Sequence, residues 1–308
     1  MSWLSAYVQL LTLLTPVIAC ASIGAVWAAK KIDYPSRFVS VLVTSVSTPC
    51  LVFSTLVTTR LDNAVLLQVS GTAVAALLTM GLVAAVLLRV CKLSLRGFLP
   101  AAVFPNAGNL GLPLSQLTFG DDGLAVAVTI FAVFSLVQHT FGVAYLAWVN
   151  PKKEGAIRTF PYGATLVAVL AVCVRVFEWQ VPVAILKSAQ LVGSLSIPLM
   201  LISLGHALMT VSHRGVKEGA WLAGVRLCVG LLASAALVSA LDLPPMVNSV
   251  LVLMMGMPVA VVSFMYADRL THNGETVAGA VLVSTLVFVV LSPLLMSWAG
   301  WMGAGLIH

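Results

Sequence analysis

Two asparagines, Asn106 and Asn109, sit inside Phe104-Pro105-Asn106-Ala107-Gly108-Asn109-Leu110-Gly111-Leu112-Pro113, a run that interrupts an otherwise apolar segment. Their amides donate hydrogen bonds without carrying charge, so a pair at helical spacing can hold a carboxylate from one face. The residues around them unwind the backbone. Pro105 and Pro113 remove donors and block the preceding turn, while Gly108 and Gly111 tolerate turn conformations that a helix refuses. In hydrocarbon an unpaired peptide group costs on the order of several kcal/mol, so such a break has to face protein or a watery cavity. The broken ends also expose free amides and the positive end of the helix dipole, about half a charge per end, and both favour an anion. The competing role for Asn106 and Asn109 is to cap the half-helices.

Arg226 is the next candidate. It lies about nine residues past Lys217, which at about 1.5 Å per residue is roughly 14 Å into a core about 30 Å thick. No Asp or Glu occupies the middle of an apolar segment, so its two readings are an anion ligand or a partner for carbonyls at the end of a half-helix. A cation at that depth is a functional candidate by default. As a ligand, its change to Ala would abolish anion transport and leave folding intact. His206 and His139 are candidate proton carriers near neutral pH. Gln138, with Thr48, Ser196 and Ser263, offers neutral oxygens for a sodium ion, but no metal-ligand pattern exists and neither a metal nor a cofactor is expected. Lys187 and Arg175 with Glu178 fall near segment ends, where snorkelling is the simplest reading. Asp121 and Asp122 belong to a connector.

These groups sit in a chain of 308 residues that is 60% hydrophobic and 8% charged, with a mean hydropathy of +1.08. That composition is an integral membrane protein, with the lipid bilayer as its solvent. The net charge of +6 lies in short connectors and calls for no nucleic-acid partner. Five cysteines, Cys20, Cys50, Cys91, Cys173 and Cys228, show neither framework spacing nor a metal pattern and read as small core residues. The first apolar run lacks a positive flank and a cleavage site, so it is expected to be retained.

Windows of about 20 apolar residues give ten transmembrane helices, at roughly 4–29, 37–59, 64–90, 97–119, 123–149, 160–179, 183–211, 217–241, 246–267 and 275–303. Connectors are too short for a soluble domain. The odd-numbered ones carry the basic residues: Lys30, Lys31 and Arg37; Arg89, Lys92 and Arg96; Lys152, Lys153 and Arg158; Arg214 and Lys217; Arg269. The even-numbered ones carry Arg60, Arg175 and Lys187 alone. Positive charge marks the cytoplasmic side, so both termini are placed outside.

The halves, 1–149 and 150–308, resemble each other weakly. Ser47-Thr48-Pro49-Cys50-Leu51-Val52-Phe53-Ser54 in the second span answers Ser196-Ile197-Pro198-Leu199-Met200-Leu201-Ile202-Ser203 in the seventh, and Pro105 answers Pro258 within Gly256-Met257-Pro258-Val259-Ala260. Five spans per half make the repeat inverted, and interrupted helices at matching positions are a mark of secondary transporters with a midplane site. The expected substrate-binding set is Pro105, Asn106, Gly108, Asn109, Pro258, Val259 and Arg226, with Pro49, Gly111, Pro113 and Pro198 as breaks or hinges.

Taken together, Thr48-Pro49-Cys50-Leu51-Val52-Phe53-Ser54, the run Asn106 to Pro113, Ile197 to Gly205, Met257-Pro258-Val259-Ala260 and Tyr266-Ala267-Asp268 resemble the auxin efflux carrier family, with its PIN-like members and bacterial relatives. The resemblance covers essentially the whole chain. It implies an all-α membrane fold of the bile-acid-symporter type, a five-plus-five inverted repeat with crossing helices four and nine. Spans 1, 2, 6 and 7 would form a scaffold, and spans 3–5 and 8–10 a transport domain moving as an elevator. It also implies a small carboxylate anion as cargo, such as malonate, malate or auxin, a homodimer, and a bacterial inner membrane. Phe104 stands where plant carriers have an asparagine and Val262 where many relatives have a polar residue, which points away from auxin. Intramembrane hydrolases are set aside because no catalytic set is present. A cation antiporter would need buried acids. A sodium- or proton-coupled symporter and a non-transporting sensor remain as alternatives. With the interior negative, each net negative charge gains about 2.3 kcal/mol per 100 mV on leaving, so an uncoupled carrier exports and uptake needs a compensating cation.

Overall fold

The computed structural model describes residues 3–149, 163–210 and 215–302. Lys152, Lys153, Arg158 and Arg214, and the expected boundary between the halves at 149/150, lie at or outside the limits of the described residues. The chain runs α1 (Trp3–Ala29), α2 (Ser36–Leu42), a π-helical turn (Val43–Ser47), α3 (Thr48–Thr58) and α4 (Asn63–Val90). Next come α5 (Leu95–Val103), a second π turn (Ala107–Gly111), α6 (Leu112–Val137), a third π turn (Gln138–Gly142) and α7 (Val143–Val149). The remainder is α8 (Gly163–Val176), α9 (Val183–Gly193), α10 (Ser196–Thr210), α11 (Val216–Ala240), α12 (Pro245–Met255), α13 (Val261–Leu270) and α14 (Gly274–Met302). Among the described residues, five helical stretches are long and apolar enough to cross a bilayer: Asn63–Val90, Ala107–Val149, Val183–Thr210, Val216–Ala240 and Gly274–Ser292. The longest is not one rod. Gly120 at φ 66° and ψ −156° breaks it into two helices across a kink, in a region of backbone space that only glycine enters without strain.

Local chemistry explains the irregular points. The Ser94 hydroxyl accepts from Gly97 N at 3.3 Å and starts α5. Phe104 is extended (φ −85°, ψ 117°) because Pro105 bars its predecessor from helical geometry. Pro49 and Pro113 each stand two residues after a π turn. A proline ring clashes with the carbonyl four residues back, and a widened turn upstream relieves that clash.

Packing pairs distant parts of the sequence. α1 lies along α10, α3 against α8 and α9, and α11 against α14, α4, α12 and α5. The α1–α10 approach depends on absent side chains: a Cβ on Gly205 would fall 1.8 Å from Ala21 O, and one on Gly24 would fall 1.9 Å from Ile202 O. The main core runs through α4, α5, α6, α11 and α12. A large share of the remaining big apolar side chains, such as Leu67, Leu78, Phe141 and Trp221, faces outward, the pattern of helices solvated by lipid.

Candidate functional site

The two interrupted segments meet. Pro105 and Val259 form an isolated antiparallel bridge, with Asn106 N donating to Pro258 O at 2.8 Å and Ala260 N to Phe104 O at 3.3 Å. Val259 N is held by Ser284 Oγ at 3.1 Å. Four helix ends therefore converge on one point: the C-terminal ends of α5 and α12, and the N-terminal ends of the Ala107–Gly111 turn and α13. The fields of these ends oppose one another, and the side chains sort them.

Arg226 takes the negative ends. Its side chain is 0% exposed. Nη1 donates to Ala102 O at 3.1 Å and Val103 O at 3.0 Å, Nε to Met257 O at 3.2 Å, and Nη2 to Met255 O. These are the contacts of the carbonyl-partner reading, and Arg226 is not among the residues that line the small cavity beyond the crossing. Arg226 stands behind the crossing, and its planar fork is spent on carbonyls that helix geometry leaves without partners.

The positive ends open onto a cavity of about 90 Å³ on the other side of the crossing, lined by Pro105 through Asn109 and by Ala260 and Val262. At these first turns Ala107 N donates to Pro105 O at 2.7 Å and Ser263 N to Ala260 O at 2.9 Å, so what the two half-helices offer the cavity is the positive end of their dipoles. Asn106 is 4% exposed, and its side-chain Nδ2 has no hydrogen-bond partner. A buried amide left unpaired costs about 1–3 kcal/mol, so this donor waits for an acceptor. Gly108 lies under the Phe131 ring, where a Cβ would come within 3.1 Å of Cε2.

All three π turns contribute to this one wall: Val43 and Thr44 from the first, Ala107 to Asn109 from the second, Gln138 and His139 from the third. Single π turns in helices are frequent at functional sites, because the extra residue re-aims side chains. Gln138 Nε2 donates to Ser263 Oγ at 3.2 Å, which ties the third turn to α13. His139 Nδ1 lies 2.6 Å from Ser135 O. Thr48 Oγ1 and Ser196 Oγ are 2.8 Å apart, so the two matching proline motifs touch. Beyond them lies a wider polar cavity of about 880 Å³, lined by Thr58, Arg60, Gln116, Asp121, Asp122 and Pro198 among others.

The structure thus brings Pro105, Asn106, Gly108, Asn109, Gln138 and His139 to one cavity. Pro258 and Val259 supply the crossing beside it through their backbone. Gly111 stands behind the break, where a Cβ would meet Met254 Sδ at 2.6 Å. Pro49 and Pro113 stand inside continuous helical stretches, each just after a π turn. His206 is elsewhere: its ring stacks on Tyr34 at 4.5 Å, and the Tyr34 hydroxyl meets Ser203 Oγ at 2.6 Å. Arg175 is held by helix-end oxygens. It donates to Leu56 O, Thr59 O, Leu61 O and Asn63 Oδ1 at 2.6–2.9 Å and so fastens α8 to the end of α3. Sequence reasoning overlooked Phe131 and Ser135, although they stand eight and four residues before His139 and helical spacing puts all three on one face. Among the described residues no cluster of His, Cys, Asp or Glu could hold a metal ion.

A family model described as membrane transport protein matches the chain twice, over residues 10–157 and 153–296. No curated protein matches.

Proposed function

Since the chain belongs to the membrane transport protein family, that of the auxin efflux carriers and their PIN-like relatives, we propose that it is a secondary transporter of small organic acid anions. The observation that carries this reading is the unpartnered Asn106 amide at the mouth of two half-helix N-termini. Two dipole ends and a neutral donor suit a carboxylate. They would repel a metal ion or an organic cation. The family is one of transporters, and no enzymatic step is assigned.

The cavity also sits at a seam. Thr48 and Met200 come from the α3 and α10 side, while Asn106, Phe131, Gln138 and His139 come from the crossing and the helices that flank it. A ligand held by the crossing and walled by the other group would be carried when the two slide past each other, which is the elevator form of alternating access. In this reading α1, α2, α3, α8, α9 and α10 are the scaffold. The remaining helices move, and the chain has ten spans in two inverted halves. Drug-sized ligands need about 300–1,000 Å³. A cavity of about 90 Å³ walled by Phe131, Phe134 and Val262 therefore suits short aliphatic acids better than an indole acid. A bacterial inner membrane, external termini and a homodimer complete the proposal.

The test is saturable uptake of radiolabelled malonate, malate and indole acetate by proteoliposomes of the purified chain. Saturable flux of at least one short acid is expected, and no flux of any acid above protein-free vesicles would overturn the reading.

A further inference from the structure

Resting on the carboxylate reading above, we propose that His139 binds a proton together with the acid, which makes the protein a proton–anion symporter. Among the residues that line the small cavity His139 is the one histidine, the side-chain type whose ordinary proton exchange lies nearest neutral pH. Its tautomer is fixed. A carbonyl oxygen accepts and never donates, so Nδ1, 2.6 Å from Ser135 O, carries a hydrogen. Nε2 is left as the basic position, with no hydrogen-bond partner among the described residues.

The third π turn carries Gln138 and His139, both buried in the wall of this cavity. Gln138 Nε2 is engaged with Ser263 Oγ at 3.2 Å, and the His139 imidazole stands beside it. Around it, α13 presents Tyr266 edge-on at 5.9 Å and continues through Asp268 and Arg269, and α5 carries Arg96 in its first turn. Arg226 is occupied by carbonyls and His206 by Tyr34.

The exchange balances simply. A proton from the loading side bonds to Nε2, giving an imidazolium, and the carboxylate binds at Asn106 and the half-helix ends. Both leave on the other side, so each cycle moves one proton with one acid and lowers the charge carried by one. Proton and anion then favour each other's binding by the same factor.

The experiment uses proteoliposomes with an internal pH dye, the membrane potential clamped, and radiolabelled malonate. In the natural protein an acid-outside gradient is expected to raise malonate accumulation at least fivefold, and malonate entry to acidify the lumen. H139Q is expected to lose that stimulation while keeping a tenth or more of malonate–malonate exchange at symmetric pH, and H206Q to keep it. Stimulation surviving in H139Q would show that hydrogen malonate carries its own proton, and would overturn the inference. So would malonate flux without lumen acidification in the natural protein, a readout that needs no variant. Absence of all saturable flux would instead sink the carrier reading itself.

Discussion

Asn106 and Arg226 lie far apart in the sequence and both attend the crossing of the two interrupted segments. One is a neutral donor left without an acceptor, the other a cation whose donors are taken up by carbonyls. Sequence alone could not separate them, because the partners of Arg226 are main-chain oxygens that no residue letter reports. The choice between anion ligand and carbonyl partner was therefore visible, but its resolution was not. The geometry reverses the expected phenotype. Arg226→Ala leaves carbonyls of two helix ends unpaired in a dry core, at about 1–3 kcal/mol each. We expect loss of monodisperse protein on size-exclusion chromatography, with partial rescue by Arg226→Lys. An Arg226→Ala protein that folds normally and binds no acid would restore the ligand role. Asn106 was legible for the opposite reason: asparagine between proline and glycine in an apolar run has few purposes other than a cap or a ligand, and no cap bond is made by its side chain.

Among elements, the two breaks were readable because proline and glycine state their backbone consequences directly. Matching offsets related Pro105 to Pro258 and the family resemblance implied a crossing, while the antiparallel bridge, with hydrogen bonds between Asn106 and Pro258 and between Ala260 and Phe104, was not readable from the sequence. The π turns were not read, although two of them carry a signal: a proline two residues downstream. The third, at Gln138–Gly142, has no such mark and follows from packing, with the Phe104 ring lying 2.9 Å from where a Gly142 Cβ would be. The α1–α10 contact is the element most exposed to a single change. Gly205→Leu must push the Ala21 backbone away, so we expect a melting temperature in detergent lowered by several degrees. An unchanged melting temperature would mean that this crossing contributes little to the fold.

At the scale of the whole molecule, composition alone assigned the solvent, and alternating charge assigned a direction. Connector charge is a property of the sequence and survives any detail of packing. An alkaline phosphatase fusion after His308 should be active and a green fluorescent protein fusion there dark in a bacterial host; the reverse result would invert the proposed orientation. What composition could not supply is the division of labour around the crossing, with Arg226 holding the negative helix ends on one side and a cavity meeting the positive ends on the other. That arrangement is the centre of the account, and its most direct measurement is the malonate concentration dependence of uptake for Asn106→Ala against the natural protein in proteoliposomes. A hydrogen bond to a charged group contributes about 1.5–3 kcal/mol, so half-saturation should rise about 10- to 150-fold in a variant that still folds. Unchanged half-saturation would show that no carboxylate rests on this amide.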